Sequence, residues 1–341
     1  MLRIALTADP EIEVPPRFYG GIERVVDMLA HSLTEAGHDV TLFAHPASRS
    51  AGRLVAWPGS DSRSVTDTAR NMATLAREVA RGRFDLVHSF SRIAYMLPIL
   101  PFGVPKLMTY QREISRRSIS LGHRLSRGTL WFSAIGHHMM RSVGDIGTWR
   151  MVPNGVPLRA FSYSADPGPD APLCFLGRIE EIKGPHLAIR IAKASGVPLV
   201  IAGNIPDAHR SWYEREVAPH IDGRFIRYVG PVDDVQKNAL LGRSRAFLMP
   251  ILWEEPFGIV MAEALACGTP VLGLRRGAVP EIVEDGVSGF VTDTVEELVA
   301  CVARLPELDR AASRRRAETR YSDTAVAAAY LGVYREMMGR T

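Results

Sequence analysis

The feature that most constrains the fold is a strand, loop, helix and strand pattern that occurs twice along the 341 residues. Near the N-terminus, the apolar run Leu2–Ala8 is followed by a loop rich in Pro and Gly. Apolar residues then recur at helical spacing as far as Gly37, and residues 38–45 form a second strand pattern. This order predicts a parallel sheet with a crossover helix, and therefore an α/β fold.

The same pattern restarts after a polar, turn-rich segment, Ser162–Pro172, which is typical of a linker. The last apolar pattern, Thr324–Met338, predicts an amphipathic helix. We therefore predict two doubly wound α/β halves with a cleft between them. The further predicted strands are 86–90, 106–110, 130–134, 151–153, 173–176, 199–203, 225–230, 246–250, 268–274 and 288–292.

Composition and the few cysteines restrict the class of protein. The chain is 46% hydrophobic and 23% charged, as in an ordinary globular protein. Its cysteines lie far apart, without Cys/His ligand spacing, which argues against a disulfide framework and structural zinc. The most apolar later stretch, Tyr95–Val104, contains two prolines and is shorter than the ~20 residues of a membrane span. Since we also find no signal-peptide pattern, we expect a soluble, cytoplasmic protein.

The positive charge is unevenly distributed. Residues 1–157 contain 19 Lys and Arg against 13 Asp and Glu, whereas the remainder contains 22 against 24. The N-terminal half therefore favours an anionic partner. The excess is too diffuse to indicate nucleic acid, which we do not expect as a partner.

Motifs for other nucleotide enzymes are missing from the sequence. Neither half has a GxGxxG after its first strand, which disfavours hydride transfer, and no GxxxxGK[ST] phosphate loop is present. Asp233 and Asp234 are adjacent and do not form a DxD motif for a metal-bound diphosphate. We expect no metal and no cofactor.

Two cations mark a candidate phosphate site. Arg178 and Lys183 lie in the short segment FLGRIEEIKG, between a predicted strand and a helix. Such a loop at the carboxyl edge of a parallel sheet faces the ligand crevice. Arg offers a fork to phosphate oxygens and Lys a point charge, although two cations on a solvated loop would have the same pattern.

The segment EEPFGIVMAEALACG, residues 254–268, places carboxylates at both ends of a predicted helix. Its early N–H groups, at Gly258, Ile259 and Val260, would form an anion site. Glu255 and Glu263 then suit the hydroxyls on either side of a sugar nucleotide's diphosphate, because carboxylates only accept hydrogen bonds. Interaction with the helix dipole could alone explain Glu255, and a buried structural role remains an alternative for Glu263.

Together these motifs resemble the retaining glycosyltransferases of family 4. Glu255 and Glu263 resemble that family's E-x7-E signature, and GRIEEIKG its phosphate-binding loop. PPRFYGGIERVV and VPNGV resemble its N-terminal diglycine loop and its interdomain segment. The resemblance covers essentially the whole chain and implies a GT-B fold of two Rossmann-like domains. We expect an acceptor domain at 1–160, a donor domain at 161–322, and a last helix, 323–338, that packs back on the first domain.

The resemblance also implies roles for individual residues. Glu255 would hold the transferred sugar and Glu263 the ribose, while Arg178 and Lys183 hold the diphosphate. We take Glu255, His88, Arg178 and Lys183 as the catalytic set. The expected donor-binding residues are Gly20, Gly21, Arg178, Lys183, Gly203, Val229, Gly230, Glu255, Phe257, Gly258, Ile259, Val260 and Glu263.

Two positions in the N-terminal half leave the role of histidine open. His88 ends a predicted strand, and a packed histidine bonded to its neighbours is the alternative to a catalytic one. Many family members have a histidine near the reacting sugar where this chain has Gln111, which cannot carry a proton. Gln111 and Arg112 are the expected acceptor contacts.

The implied reaction is metal-independent transfer from a UDP- or GDP-linked sugar, with UDP favoured, in which the leaving diphosphate takes the acceptor proton. No side chain distinguishes the base, and the acceptor is unidentified. The alternatives are a non-catalytic nucleotide-sugar-binding protein and a GT-B epimerase. Residues 112–127 contain five arginines, which suit an anionic membrane at the inner face or a phosphorylated acceptor, or a solvated helix face.

Overall fold

The computed structural model describes residues 1–17, 20–141 and 143–339. The chain forms two compact units. Unit 1 consists of Met1–Gly155 together with Asp323–Thr341, and unit 2 consists of Val156–Ser322. Because the chain returns to unit 1 for its last helix, it passes between the units twice, after Gly155 and after Ser322.

The first boundary lies at Gly155 and Val156, before the predicted position at 160. The reason is that the intervening residues are anchored in unit 2. The N–H of Val156 donates to the carbonyl of Tyr321 at 2.8 Å, and Val156 forms a parallel bridge with Ser322. Phe161 accepts a hydrogen bond from Arg314 at 2.9 Å. The turn-rich segment that begins at Ser162 therefore follows the boundary and does not contain it.

Unit 1 contains a parallel sheet in the order β3-β2-β1-β4-β5-β6-β7. The edge strand β3 was not predicted, and β7 lies two residues before the predicted strand at 151–153. The strands are β1 (Arg3–Thr7), β2 (Asp39–Ala44), β3 (Arg53–Ala56), β4 (Leu86–Ser89), β5 (Lys106–Tyr110), β6 (Leu130–Ala134) and β7 (Trp149–Met151).

The helices of unit 1 form because their apolar residues recur at helical spacing. Val25, Val26, Leu29 and Leu33 are all buried, as the sequence predicted for the first helix. The last helix belongs to unit 1, although it follows unit 2 in the chain. The helices are α1 (Gly21–Glu35), α2 (Val65–Ala80), α3 (Arg116–Ser126), α4 (His137–Met140) and α12 (Asp323–Met337), with a 3-10 helix at Ile93–Ile99.

Unit 2 contains a second parallel sheet, in the order β10-β9-β8-β11-β12-β13. Its strands are β8 (Leu173–Leu176), β9 (Leu199–Ala202), β10 (Ile226–Tyr228), β11 (Ala246–Met249), β12 (Val271–Leu274) and β13 (Gly289–Thr292). Its helices are α5 (Pro185–Ser195), α6 (Arg210–Glu216), α7 (Asp234–Gly242), α8 (Ile259–Ala266), α9 (Val279–Ile282), α10 (Val295–Ala303) and α11 (Arg310–Arg316), and a π-helix follows at Ala317–Tyr321.

In a parallel sheet, helices cover both faces, and the strands are buried. This is why the strands are almost continuously apolar. In unit 1, Trp57 packs on Phe43 and Tyr95 with ring centroids 5.4 Å apart in both pairs. The core of unit 2 is aliphatic around β8 and β9. The three cysteines are buried and unpaired, as their spacing predicted.

Each sheet reverses its strand order at one point, between β1 and β4 in unit 1 and between β8 and β11 in unit 2. In open α/β sheets, ligands bind outside the carboxyl ends of the strands at such a switch point. The loops after β8 and β11 contain Arg178, Lys183 and Glu255. The topology of unit 2 therefore brings the candidate phosphate loop and the two-glutamate segment to the same edge.

Candidate active site

The loop after β8 presents Arg178 beside an acidic partner that the sequence did not indicate. A guanidinium nitrogen of Arg178 lies 2.7 Å from Oε1 of Glu180, and Nε2 of His209 lies 3.4 Å from Oε2 of the same residue. Glu180 is only 4% exposed, whereas the Arg178 side chain is 38% exposed. Glu180 therefore holds one side of the Arg178 guanidinium, while the rest of the Arg178 side chain is partly exposed to solvent.

Close backbone approach explains the glycine at the end of β9. A Cβ at Gly203 would lie 1.7 Å from the carbonyl oxygen of Gly177, and its φ of +144° is rare for residues with side chains. The N–H of Gly203 donates to the carbonyl of Gly230 at 2.9 Å. Val229 beside it is 49% exposed. These residues form a backbone-lined edge next to an exposed apolar side chain, which is the surface predicted to meet a nucleobase.

Lys183 is held at the end of a 3-10 helix, Glu181–Lys183, by the chain that follows it. Gly184 has a φ of +76°, and a Cβ there would lie 2.1 Å from the carbonyl oxygen of Pro250. Only glycine lets the phosphate loop approach the end of β11 this closely. The ammonium of Lys183 thereby reaches the segment that follows β11.

There it forms an ion pair with Glu255, with Nζ 2.5 Å from Oε2. The indole N–H of Trp253 donates to the same oxygen at 3.1 Å, and the Lys183 ammonium lies 4.8 Å from the centre of the Trp253 ring. The Lys183 side chain is 18% exposed and the Glu255 side chain 10% exposed. The pair is thus mostly desolvated, and each partner has a fixed position.

The loop after β12 braces the backbone of this segment. Gly277 donates its N–H to Oε2 of Glu254 at 2.7 Å. A Cβ at Gly277 would lie 2.3 Å from the backbone nitrogen of Glu255, and the N–H of Ala278 donates to the carbonyl of Glu255 at 2.9 Å. The two neighbouring glutamates therefore have different roles: Glu254 binds backbone, and Glu255 binds a cation.

Helix α8 begins without a side-chain cap. Gly258, its N-cap residue, has a φ of +74°, and a Cβ there would lie 2.9 Å from the methyl carbon of Met261. Within the described ranges, the N–H groups of Ile259 and Val260 have no hydrogen-bond acceptor. Orphan N–H groups at a helix start attract anions, so this end of α8 offers the donors that the predicted phosphate site needs, and phosphate binding there stays a prediction.

Glu263, one turn further along α8, is paired with a lysine that the sequence analysis missed. Lys237 lies on α7, with its Nζ 2.5 Å from Oε1 of Glu263 and 3.2 Å from Oδ1 of Asp234. The Lys237 ammonium also lies 5.6 Å from the centre of the Phe161 ring. No motif marks Lys237, since it comes from a different helix and only the fold brings it to Glu263.

Phe257, predicted to contact the donor, is 3% exposed and packs edge-on against Tyr321 at 5.8 Å between ring centroids. As placed, it anchors the segment before α8 to the core of unit 2. Phe257 therefore positions the segment through core packing and has little exposed surface for contact with a ligand.

In unit 1, His88 lies in the core. It is fully buried on β4, with Nδ1 2.6 Å from the hydroxyl of Tyr334 and Nε2 2.7 Å from Oγ1 of Thr109. Burial lowers the pKa of His88 to about 3, so the ring is neutral at physiological pH. These contacts match the packed-histidine alternative, because neither ring nitrogen is open to a substrate.

The expected acceptor contacts differ from each other. The amides of Gln111 and Asn154 bond reciprocally, with 2.7 Å for each of the two N–H to oxygen contacts. Arg112 is exposed. Burial and the charge of Glu11 raise the pKa of the nearby Asp9 to about 6, and the positive charge of Arg112 opposes part of this increase. Asn154 belongs to the VPNGV segment, so this pair of amides connects that segment to Gln111 inside unit 1.

The diglycine loop of unit 1 leads directly into α1. Gly20 is the N-cap residue, without a side-chain cap, and Gly21 is the first helical residue and is exposed. A Cβ at Gly20 would lie 2.7 Å from Cβ of Pro16 and 2.8 Å from a carboxylate oxygen of Glu23. Packing therefore requires glycine at position 20, and a donor contact at Gly20 and Gly21 stays a prediction.

No metal site can be built from the residues described. Within 1–17, 20–141 and 143–339, no group of three or more His, Cys, Asp and Glu side chains is placed to hold a metal ion. In unit 2, three of the cations at this edge, Arg178, Lys183 and Lys237, each pair with a glutamate.

Two family models match consecutive parts of the chain. "Glycosyltransferase Family 4" matches residues 19–159, and "Glycosyl transferases group 1" matches residues 163–321. The chain belongs to glycosyltransferase family 4. The resemblance inferred from the motifs is thereby confirmed, and the protein is a glycosyltransferase.

Curated relatives cover most of this transferase at modest identity. A phosphatidyl-myo-inositol mannosyltransferase of Mycolicibacterium smegmatis is 26% identical over 99% of this chain and 95% of its own. A glycogen synthase of Mycobacterium tuberculosis is 27% identical over 89% of this chain and 86% of its own.

Solved structures of glycosyltransferases confirm the GT-B fold. AviGT4, a glycosyltransferase involved in avilamycin A biosynthesis, superimposes with a TM-score of 0.72 at 25% identity, covering 99% of both chains. A glycosyltransferase from Rickettsia africae gives a TM-score of 0.80 at 18% identity, covering 100% of this chain and 99% of its own. None of the helices described for the transferase is long and apolar enough to span a membrane.

Proposed function

We propose that the transferase moves a hexosyl group from a nucleoside diphosphate sugar to an acceptor hydroxyl with retention of anomeric configuration. The observation that carries this proposal is the convergence of Lys183, Glu255 and the uncapped start of α8 at the switch point of unit 2. Lysine and helix N–H groups suit a diphosphate, and a carboxylate suits sugar hydroxyls.

The paired glutamates keep the cations in place before substrate arrives. Lys183 binds Glu255 through one ammonium position, and an ammonium has three N–H donors. A diphosphate can therefore be added to the pair without breaking it. On this proposal Arg178 and Lys183 bind the diphosphate, Glu255 binds the transferred sugar and Glu263 binds the ribose.

The chemistry that this arrangement favours is electrostatic. The bond between the anomeric carbon and the diphosphate oxygen breaks, and a new bond forms to the acceptor oxygen on the same face. The acceptor proton passes to the departing phosphate, so no protein base is required. Arg178, Lys183 and the start of α8 stabilise the charge that grows on the diphosphate, which is the role otherwise filled by a metal.

His88 has no part in this mechanism, because its ring is buried, neutral and hydrogen-bonded at both nitrogens. The two curated relatives are named for mannosyl transfer to phosphatidyl-myo-inositol and for glycogen synthesis, which differ in acceptor. We further propose a cytoplasmic enzyme with a UDP-linked donor and peripheral contact with an anionic membrane.

The proposal is tested by incubating the full-length protein with UDP-, GDP- and ADP-hexoses and a simple glycoside acceptor. We expect nucleoside diphosphate release with at least one donor, unchanged by EDTA. Proton NMR of the first product should show the anomeric configuration of the donor. Inverted product would overturn the retaining mechanism, and loss of turnover in EDTA that added Mg²⁺ or Mn²⁺ restores would overturn metal independence.

A further inference from the structure

Trp253, beside the candidate active site, makes contacts of a different kind from those of two tryptophans in the core of unit 1. Trp57 is 2% exposed, and its indole N–H donates to the carbonyl of Ala8 at 2.8 Å. The indole N–H of Trp149 donates to the carbonyl of Ile146 at 2.7 Å. Trp253 is half-buried, and both its N–H and its ring contact charged side chains. Its contacts therefore concern the candidate site and not the packing of a core.

Backbone hydrogen bonds fix Trp253 next to the phosphate loop. The N–H of Leu252 donates to the carbonyl of Ile182 at 2.8 Å, and Ile182 belongs to the 3-10 helix that ends at Lys183. The N–H of Glu255 donates to the carbonyl of Trp253 at 3.0 Å, which closes a tight turn. The backbones that carry Lys183, Trp253 and Glu255 are therefore held together independently of their side chains.

The indole N–H of Trp253 orients the carboxylate of Glu255. It donates to Oε2 at 3.1 Å, and the ammonium of Lys183 lies 2.5 Å from the same oxygen. Within the residues that the structure describes, no hydrogen bond is made to Oε1 of Glu255. Since each carboxylate oxygen has two lone pairs, Oε2 is fully used and Oε1 is left to accept a hydrogen bond from a ligand.

The ring of Trp253 restricts the ammonium of Lys183. Its centre lies 4.8 Å from Nζ, within the ~6 Å range of a cation–π contact. A lysine side chain is flexible, so a single ion pair with Glu255 would leave the ammonium several positions. With the ring on a second side, the ammonium is held in one place, and its remaining N–H donors can meet a diphosphate.

We propose that Trp253 is a positioning residue of the donor site with two separable roles. Its N–H holds Glu255 so that Oε1 meets the transferred sugar, and its ring holds the Lys183 ammonium for the diphosphate. This inference rests on the proposed function, in which Glu255 binds the sugar and Lys183 the diphosphate. Trp253 exchanges no proton and forms no bond with the donor, because it acts through these two side chains. Loss of the N–H therefore affects transfer, whereas loss of the ring also affects nucleotide binding.

The first test is Trp253→Phe in the full-length protein, which keeps an aromatic face for Lys183 and removes the N–H. We expect kcat for nucleoside diphosphate release, from the hexose donor that the wild type uses, to fall about 10-fold through loss of one charge-assisted hydrogen bond. The Kd of the same nucleoside diphosphate, measured by calorimetry, should change less than about 3-fold. Circular dichroism and thermal unfolding check that the variant is folded. A kcat within about 2-fold of the wild-type value would overturn the role of the N–H.

The second test is Trp253→Leu, which removes both the N–H and the ring face. We expect the same loss of kcat and, in addition, a Kd for the nucleoside diphosphate about 5-fold higher than in Trp253→Phe, because the cation–π contact with Lys183 is lost. Equal Kd values in the two variants would overturn the role of the ring.

A double-mutant cycle separates positioning of Glu255 from packing. In Glu255→Gln the indole N–H meets a neutral amide, so adding Trp253→Phe should lower kcat further by less than about 3-fold. A further fall of about 10-fold would show that Trp253 acts independently of the Glu255 carboxylate and would overturn the inference.

Trp212→Phe is the matched control, since Trp212 is another half-buried tryptophan of unit 2 and its ring meets His186 edge-on at 5.3 Å between centroids. We expect wild-type kcat and Kd in this variant, and losses equal to those of Trp253→Phe would contradict a specific role for Trp253. A wild-type protein that binds no nucleoside diphosphate would overturn the proposed function itself. Wild-type binding and turnover with an unaffected Trp253→Phe variant would overturn only the inference about Trp253.

Discussion

His88 in unit 1 and Glu255 in unit 2 are both buried ionisable residues near the carboxyl end of a central parallel strand, yet their surroundings differ. His88 is 0% exposed and bonds two neutral hydroxyls, those of Tyr334 and Thr109. Glu255 is 8% exposed and bonds the ammonium of Lys183, which reaches solvent. The first residue joins β4 and β5 to α12, and the second holds a charge at the edge of the sheet.

A position at a strand end therefore does not by itself indicate chemistry, whereas the partner of the side chain does. Neutral hydroxyls in a core stabilise a neutral ring and hold it in place. A mostly buried ion pair is, by contrast, weak support for stability, because desolvation offsets its attraction. The Lys183–Glu255 pair at the switch point is therefore better explained by ligand binding than by folding.

The largest expected effect is on stability and concerns His88. Its pKa is about 3 in the folded protein and near 6.5 when unfolded. Between these values the unfolded chain binds more protons, so the free energy of unfolding falls as the pH is lowered. We expect His88 to contribute a loss of roughly 4 kcal/mol between pH 7 and pH 3, which urea unfolding at several pH values measures.

The control for this prediction is His88→Gln, which can hydrogen-bond but not titrate. The difference in unfolding free energy between wild type and variant should shrink as the pH falls below 6.5. A difference independent of pH would show that His88 is not a buried neutral ring, and would reopen its predicted catalytic role.

The next effect is on turnover. Glu255→Gln removes the carboxylate that we propose accepts hydrogen bonds from the donor sugar, while its amide can still meet Lys183 and Trp253. We expect kcat to fall about 100-fold, which corresponds to about 2.7 kcal/mol. Nucleotide affinity, measured by calorimetry, should change less than about 3-fold. Collapse of nucleotide affinity instead would mean that Glu255 and Glu263 have exchanged roles.

Arg178→Ala should have a smaller effect, because Lys183 and the start of α8 remain. We expect turnover to fall at least ~10-fold, since a charge-assisted hydrogen bond contributes ~1.5–3 kcal/mol. Initial rates over a range of donor concentrations give the measurement. Kinetics equal to those of the wild type would contradict a phosphate contact at Arg178.

The smallest effect concerns Glu180, which we infer positions Arg178 without touching the donor. Glu180→Gln keeps a polar partner but removes its charge, so we expect KM for the donor to rise about 3-fold with little change in kcat. Glu296→Gln is the matched control, since its pair with Arg190 is exposed and lies elsewhere in unit 2. A large loss of kcat in Glu180→Gln would indicate direct participation in catalysis.

Much of the fold could be predicted because its signals are local. The order of apolar strands and amphipathic helices predicted both sheets and the last helix, which differs by one residue at each end. The unpredicted strand β3 is short, only partly buried and at the edge, so its sequence has no continuous apolar run.

Part of the candidate site could be predicted from glycines that mark special backbone. Gly184, Gly203 and Gly258 all have positive φ, and the motifs around them indicated the phosphate loop and the start of α8. Glu180, Lys237 and Trp253 were missed, because each acts through a side-chain contact that forms only in the folded chain. Burial of His88 by α12 depends on a contact 246 residues away in sequence.

Calorimetric titration with UDP, GDP and ADP measures whether Lys183 and its neighbours at the switch point of unit 2 bind a diphosphate. We expect measurable affinity for at least one nucleoside diphosphate. That affinity should fall at least ~10-fold in Lys183→Gln and stay within about 2-fold in Arg190→Gln, a control on the exposed surface of α5. Equal affinities in Lys183→Gln and the wild-type protein would contradict a diphosphate site at Lys183.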